Sequence, residues 1–365
     1  MKRFILILIA SALLFTACNY DDDGVFEYVL ASEPTDNRAL NIIGSVTPTG
    51  DFTTIYFKSR YGLESFNNGT YATLDSSNAA KSSTIYSLIG NEYIVYITQD
   101  TNSGSLSTPI NGLYIYSITS GSREAASTDS LTNIQALDGK PLFVINNFIY
   151  FVVKDSSTSL TYLQSYKITV TGTDVTLTSL GDDSSLNLTA SGYGFYDIDG
   201  NILTYSNSSS VKKYVALDES TGKVSSTLLS SDDNGLPSGK KVTTISGFNS
   251  GSTQYVILQN DDDVQIFKGS GTSFTRIHSR DITASSHLYT YFNGSHIFYN
   301  IPGYAGMYKV DVSASSSTSK DYTKLKNLSI AGYFKLSDSS DDLIIATRDN
   351  GFYLLKEDLS SFKRY

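Results

Sequence analysis

A chain of 365 residues that is 40% apolar is long enough to bury a real core, which excludes disorder throughout. A formal charge of −9 repels nucleic-acid phosphates and anionic headgroups, so nucleic acid is excluded as a partner. The single cysteine, Cys18, excludes an intrachain disulfide.

The chain begins with a positive pair, Lys2 and Arg3, followed by an apolar run from Phe4 to Phe15. That run is about 12 residues, short of the roughly 20 needed to span a bilayer, and it reads as a cleaved signal helix. Leu14-Phe15-Thr16-Ala17-Cys18 follows and resembles the lipobox of bacterial lipoproteins, with Phe15 where that family usually has an aliphatic residue. The resemblance implies cleavage before Cys18, acylation of its thiol, and a membrane anchor through several acyl chains on one residue. Asn19 stands where the enteric sorting scheme uses Asp for inner-membrane retention, so the outer membrane is implied. Asp21-Asp22-Asp23 is similar to the acidic surface-export tag of some Bacteroidetes lipoproteins, though solvation of a flexible tether explains it as well. The expected organisation is a signal peptide over 1–17, a lipidated tether over 18–38 and one domain over 39–365.

From Gly24 onward the composition, with 27 Tyr and 18 Phe beside many turn residues, favours strands. Val25 to Leu30 reads as an isolated strand, and Glu33 to Arg38 as a connector. A hairpin unit then recurs, clearest in Ile85 to Ile118: an apolar run, a Gly90-Asn91 turn, Tyr93 to Ile97, then Leu113 to Ile118. Gly and Asn tolerate the positive φ that such a turn needs. The strand after each turn carries Ile55-Tyr56-Phe57, Ile94-Val95-Tyr96, Ile149-Tyr150-Phe151, Leu203-Thr204-Tyr205, Val256-Ile257-Leu258, Ile297-Phe298-Tyr299 and Ile344-Ile345-Ala346. These units recur about every 48 residues, at the upper end for propeller blades. Turn signals precede them independently, at Gly50-Asp51, Gly90-Asn91, Asn146-Asn147, Gly200-Asn201, Asn249 to Gly251, Asn293-Gly294 and Asp338 to Asp342.

A third strand closes most units: Tyr114 and Tyr116, Tyr166 and Ile168, Tyr214 and Val215, Ile266 and Phe267, Tyr308 and Val310, Tyr353 and Leu355. Fourth strands leave no readable pattern, and Ser313 to Ser319 reads as an exposed loop. Small sheets of this kind cannot bury both faces alone, and a ring stacks them without long free edges. The expected fold is therefore an all-β propeller of about seven blades, six to eight being compatible with the spacing. Val25 to Leu30 is expected to add the outer strand of the last blade, beside Phe352 to Lys356. Tandem β-sandwiches are the rival all-β arrangement. A transmembrane β-barrel is a further alternative, opposed by strands shorter than the about ten alternating residues it requires.

Ala216-Leu217-Asp218-Glu219-Ser220-Thr221-Gly222-Lys223-Val224 resembles the Ala-x-Asp-x-x-Thr-Gly-Lys turn of quinoprotein-like and WD40-like propellers. That group includes dehydrogenases and the propeller lipoprotein of the outer-membrane barrel-assembly machinery. The family blade usually ends in a docking Trp, and this chain contains none. The resemblance thus implies a propeller without a quinone cofactor, and no cofactor is expected.

Candidate chemistry is sparse. His278, His287 and His296 are evenly spaced, but a turn at Asn293-Gly294 would set His296 opposite Tyr291 and His287 near Asn300, too far apart for one metal. Ser230 to Lys241 lacks the terminal carboxylates of a Ca²⁺ loop. Asp197-Ile198-Asp199-Gly200 reads as turn chemistry; Asp182-Asp183, Asp261 to Asp263 and Asp341-Asp342 read as solvated loop tips, open to a cation at the ring's face. Neither Gly-x-Ser-x-Gly in a strand-to-helix context nor His-Glu-x-x-His occurs. Cys18, as a lipidation site, is the one assigned residue; catalytic, cofactor and metal residues are assigned to none. Two readings follow: a lipid-tethered binding or scaffold module whose Tyr-lined loops hold an envelope protein or glycan, or a secreted carbohydrate-active or redox propeller enzyme. Scarce His and absent Trp favour the first.

Overall fold

The computed structural model describes residues 41–99, 110–125, 141–145, 147–154, 161–172, 174–183, 193–198, 201–206, 213–218, 221, 223–230, 242–260, 262–270, 273–282 and 288–365. Its 28 strands form seven consecutive four-stranded antiparallel meanders: blade 1 (41–75), blade 2 (83–125), blade 3 (141–183), blade 4 (193–230), blade 5 (242–281), blade 6 (290–321) and blade 7 (330–364). One parallel bridge, Ile198 to Gly247, links the first strands of blades 4 and 5. First strands also touch between blades 1 and 2, 2 and 3, 3 and 4, 6 and 7, and 7 and 1. Adjacent parallel first strands with sheets running outward from them make a seven-bladed β-propeller. Among the described residues every blade ends on its own outer strand, so they form neither a closed barrel wall nor paired sandwiches.

All seven apolar triplets lie in second strands, and all six aromatic or branched pairs in third strands. Where their side chains are described, second strands are buried on both faces. In blade 1, Ile55 and Phe57 pack toward blade 7 while Tyr56 packs toward blade 2. In blade 6, Ile297 and Tyr299 face blade 5 and Phe298 faces blade 7. Alternate side chains point to opposite sheet faces, and here each face meets another blade, so the strand reads as a continuous apolar run. Each such large apolar side chain contributes about 1.5–3 kcal/mol by leaving water.

The ring closes between blades 7 and 1. Phe66 of blade 1 stacks on Phe352 of blade 7 at 4.0 Å and 16°, and Tyr71 and Tyr365 meet their edges. Backbone bonds run from Thr53 N to Leu336 O (3.0 Å) and from Asp338 N to Asp51 O (3.1 Å). The outer position of blade 7 is filled by Phe362–Arg364, paired with Tyr353 to Leu355, and not by Val25 to Leu30 as the sequence suggested. Consecutive strands complete the blade because the chain after Leu355 turns back at once. Val25 to Leu30, the signal segment 1–17 and the tether 18–38 with Cys18 lie outside the described residues.

Several local expectations are corrected. Ser316–Asp321 is the fourth strand of blade 6, fully exposed, held by its ladder to Gly306–Asp311. A short helix, α1 (Asn78–Ser82), joins blades 1 and 2; Ser77 caps it by accepting from Ala80 N at 3.1 Å, and Ala80 is buried. The blade 6 turn centres on Gly294-Ser295, one residue later than expected, because Asn293 Oδ1 accepts from both Ser295 N and His296 N. Tyr291 therefore pairs with Phe298, not His296. Asp182 and Asp183 lie on a strand. Asp263 is buried and takes hydrogen bonds from Asn260 and Gln265; Asp342 accepts from Lys356 Nζ at 2.6 Å.

Candidate functional site

A cavity of about 550 Å³ opens where blade 6 passes into blade 7. Its walls come from three segments, each shaped locally. In blade 6, Ile301-Pro302-Gly303-Tyr304 forms a turn with Tyr304 N donating to Ile301 O at 2.9 Å. Pro at the second place and Gly303 at φ +84 in the third are the requirements of a type II turn. Asn300 Nδ2 ties this turn down by donating to Tyr304 O (3.1 Å) and Gly306 O (2.9 Å).

The second wall is the connector between blades, a 3-10 turn over Thr323–Asn327. Leu325 is fully buried and Tyr322 donates to Leu359 O at 2.7 Å, which pins the connector to blade 7. With Leu325 inward, Lys326 and Asn327 are exposed. The third wall is the turn after the second strand of blade 7. Thr347 Oγ1 donates to Gly351 O (2.7 Å) and accepts from Asn350 N (3.1 Å), and Arg348 N donates to Ser329 O at 2.7 Å. These bonds hold the backbone of an otherwise exposed arginine.

Tyr289, Pro302, Leu328 and Ile330 give the cavity apolar surface, Asn327 and Ser329 give it hydrogen-bonding groups, and Lys326 and Arg348 are its only charges among the described residues. Arg348 also acts across the ring: Tyr86, on the first strand of blade 2, is pushed up to about 12 by burial against the opposing pull of the Arg348 charge. Tyr333, from the first strand of blade 7, is buried in the core between blades 6 and 7, which raises its hydroxyl pKa; the Asn300 backbone opposes that shift. Such a lining can hold a polar or anionic molecule, since an ammonium and a guanidinium offer hydrogen-bond donors and no acceptor.

The residues singled out in the sequence do not gather here. His278 lies on the fourth strand of blade 5, its Nε2 2.9 Å from Tyr299 Oη. Burial, then the nearby Arg280 charge, lowers its pKa. His296 lies on blade 6, 3.6 Å from Glu357, which also takes Lys309 at 2.5 Å. His287, Asp199, Gly200 and most of Ser230 to Lys241 are outside the described residues. The Ala216 to Val224 segment is a third-to-fourth-strand hairpin, with Asp218 paired to Lys223.

The tyrosines are placed differently from expectation. Tyr56, Tyr96, Tyr116, Tyr150, Tyr166, Tyr255, Tyr299, Tyr308, Tyr333 and Tyr353 are all buried, most of them in the seams between blades, not on loops. The cavity residues escaped sequence reading because three separated segments supply them. The Ile301-Pro302-Gly303 turn was the local signal available.

No family model matches the chain, and no curated protein does. Solved structures are similar in fold. A prolyl endopeptidase matches at TM-score 0.55 and 9% identity, over 94% of this chain and 52% of that one. Virginiamycin B lyase from Staphylococcus aureus matches at 0.50 and 9%, over 87% and 96%. The extracellular domain of a one-component system from B. thetaiotaomicron matches at 0.49 and 13%, over 91% of this chain but only 40% of that one. At these identities the likeness is one of propeller architecture alone. Among the described residues, no helix is long and apolar enough to cross a membrane.

Proposed function

We propose that the chain is a lipid-anchored cell-envelope propeller, tethered through Cys18 in the outer membrane, that binds a protein or glycan partner and performs no catalysis. The observation that carries the binding role is the cavity between blades 6 and 7, whose lining offers cations, amides, hydroxyls and apolar surface but no acid–base pair among the described residues. Its volume falls within the range of about 300–1,000 Å³ usual for small-ligand sites. Support for the anchor comes from the run Phe4 to Phe15 ending in Ala17-Cys18.

Replacing Cys18 with Ser is expected to abolish labelling by radiolabelled palmitate and release the protein from membranes; continued acylation would refute the anchor. For the binding role, capture from envelope extracts beside a glycan array is expected to give a specific partner without turnover. Bond cleavage in any sample would refute it.

A further inference from the structure

We infer that the cavity between blades 6 and 7 takes an acidic sugar, carboxylated or sulfated. This deepens the binding-module reading and rests on it. Acidic residues outnumber basic ones in the whole chain, 36 to 27, yet the described cavity wall holds two cations and no carboxylate. The charge of this wall is opposite in sign to that of the chain as a whole.

Neither cation is held in an ion pair or side-chain hydrogen bond among the described residues, although the Arg348 charge is felt by Tyr86. Among the described residues, ion pairs engage Lys309 and Lys356, and hydrogen bonds engage the side chains of Lys320 and Lys335, whereas Lys326 and Arg348 have exposed side chains without such partners. Arg348 has its backbone held by Ser329 O while its head group remains available, which suits the planar fork that binds carboxylate or sulfate through two hydrogen bonds. Lys326 adds a point charge from the connector wall. The Asn327 amide and Ser329 hydroxyl match the hydroxyls of a sugar ring, and Tyr289 and Pro302 supply flat apolar surface for its carbon face. A cation pair alone would accept any small anion. The polar and apolar groups beside it select an anion carried on a hydroxylated body of more than one ring, which the volume of about 550 Å³ accommodates.

The test is calorimetric titration of the full chain in detergent with four probes: a galacturonic acid trisaccharide, a sulfated galactose trisaccharide, the neutral galactose trisaccharide, and citrate. Binding of either acidic trisaccharide, at least tenfold tighter than the neutral one and than citrate, is expected, and it should weaken with salt because exposed charges are screened within about 8 Å at physiological ionic strength. Which acid binds identifies the group. Arg348→Gln should weaken binding tenfold or more and Lys326→Gln about threefold, with melting temperatures unchanged, since both side chains are exposed. Equal binding of the neutral sugar, equal binding of citrate, or no binding of either acidic sugar overturns the inference. If the envelope partner is still captured by Arg348→Gln in those cases, the binding-module reading survives. New reducing ends in the titrated samples would instead sink that reading, whatever the charge preference.

Discussion

The two faces of blade 1 solve the same packing problem with different chemistry. Toward blade 7, Ile55, Phe57 and Phe66 meet Ile344, Ala346 and Phe352 in a seam whose packed side chains are apolar, with backbone hydrogen bonds between Asp51, Thr53, Leu336 and Asp338 at its edge. Toward blade 2, Tyr56 and Leu63 share their seam with a buried polar contact, Tyr96 Oη donating to Asp75 Oδ2 at 2.5 Å, and beside it the exposed Arg123 lies over the ring of Tyr114. The chain itself crosses the second seam through α1, whereas the first joins segments nearly a whole chain apart. Closing so long a loop costs conformational entropy that no local connector offsets, so the closing seam must stabilise itself. Stacked aromatics do this without the desolvation cost that a buried carboxylate brings.

The comparison is broken most severely at Phe352, which is buried and stacked on Phe66. Phe352→Ala is expected to cost about 3–5 kcal/mol, read by denaturant unfolding, because it opens a cavity at the one seam without a covalent crossing. A loss under about 1 kcal/mol would show that ring closure rests elsewhere.

The polar seam should yield less. Tyr96→Phe leaves Asp75 short of one donor and is expected to cost about 2 kcal/mol near neutral pH. Burial alone would raise the Asp75 pKa, but Tyr96, the Ser77 amide and hydroxyl, and Arg123 together hold it below the ordinary carboxylate value. Stability from these contacts is present above about pH 3.8 and falls away below it, so the gap between Tyr96→Phe and the parent should narrow in acid. A gap that stays constant down to pH 2.5 would remove Asp75 from the explanation.

The smallest expected effect lies at the seam of blades 5 and 6. Burial and Arg280 keep His278 neutral to a lower pH than the unfolded chain would. The unfolded form therefore binds more protons below about pH 6.5, and stability should decline between pH 7 and pH 5. His278→Gln, which keeps a partner for Tyr299, should flatten that part of the slope. An unchanged slope would place the acid sensitivity in another group.

How much of this was legible follows from where each residue sits. Second strands were readable because a turn precedes each and, where their side chains are described, both faces are buried; Ile344-Ile345-Ala346 is a case in which all three side chains are fully buried. Ser316–Asp321 was not, since every residue in it is exposed and only pairing with blade 6 makes it a strand. Tyrosine content suggested adhesive loops, yet composition says nothing about which way a side chain faces, and the seams took most of them. Asp263 looked like a solvated tip beside Asp261 and Asp262, but Asn260 and Gln265 supply the donors that let it be buried.

By itself the sequence determined the class of structure: alternating short strands and turns, seven times, in a chain of formal charge −9. Those features are local, set by side-chain shape, backbone freedom at turns and total charge. Tertiary structure alone decided the closing partner of blade 1 and the gathering of Asn300, Lys326 and Arg348 about one cavity. Each of these depends on residues tens to hundreds of positions apart meeting at a seam, and no local preference encodes which distant face will be met.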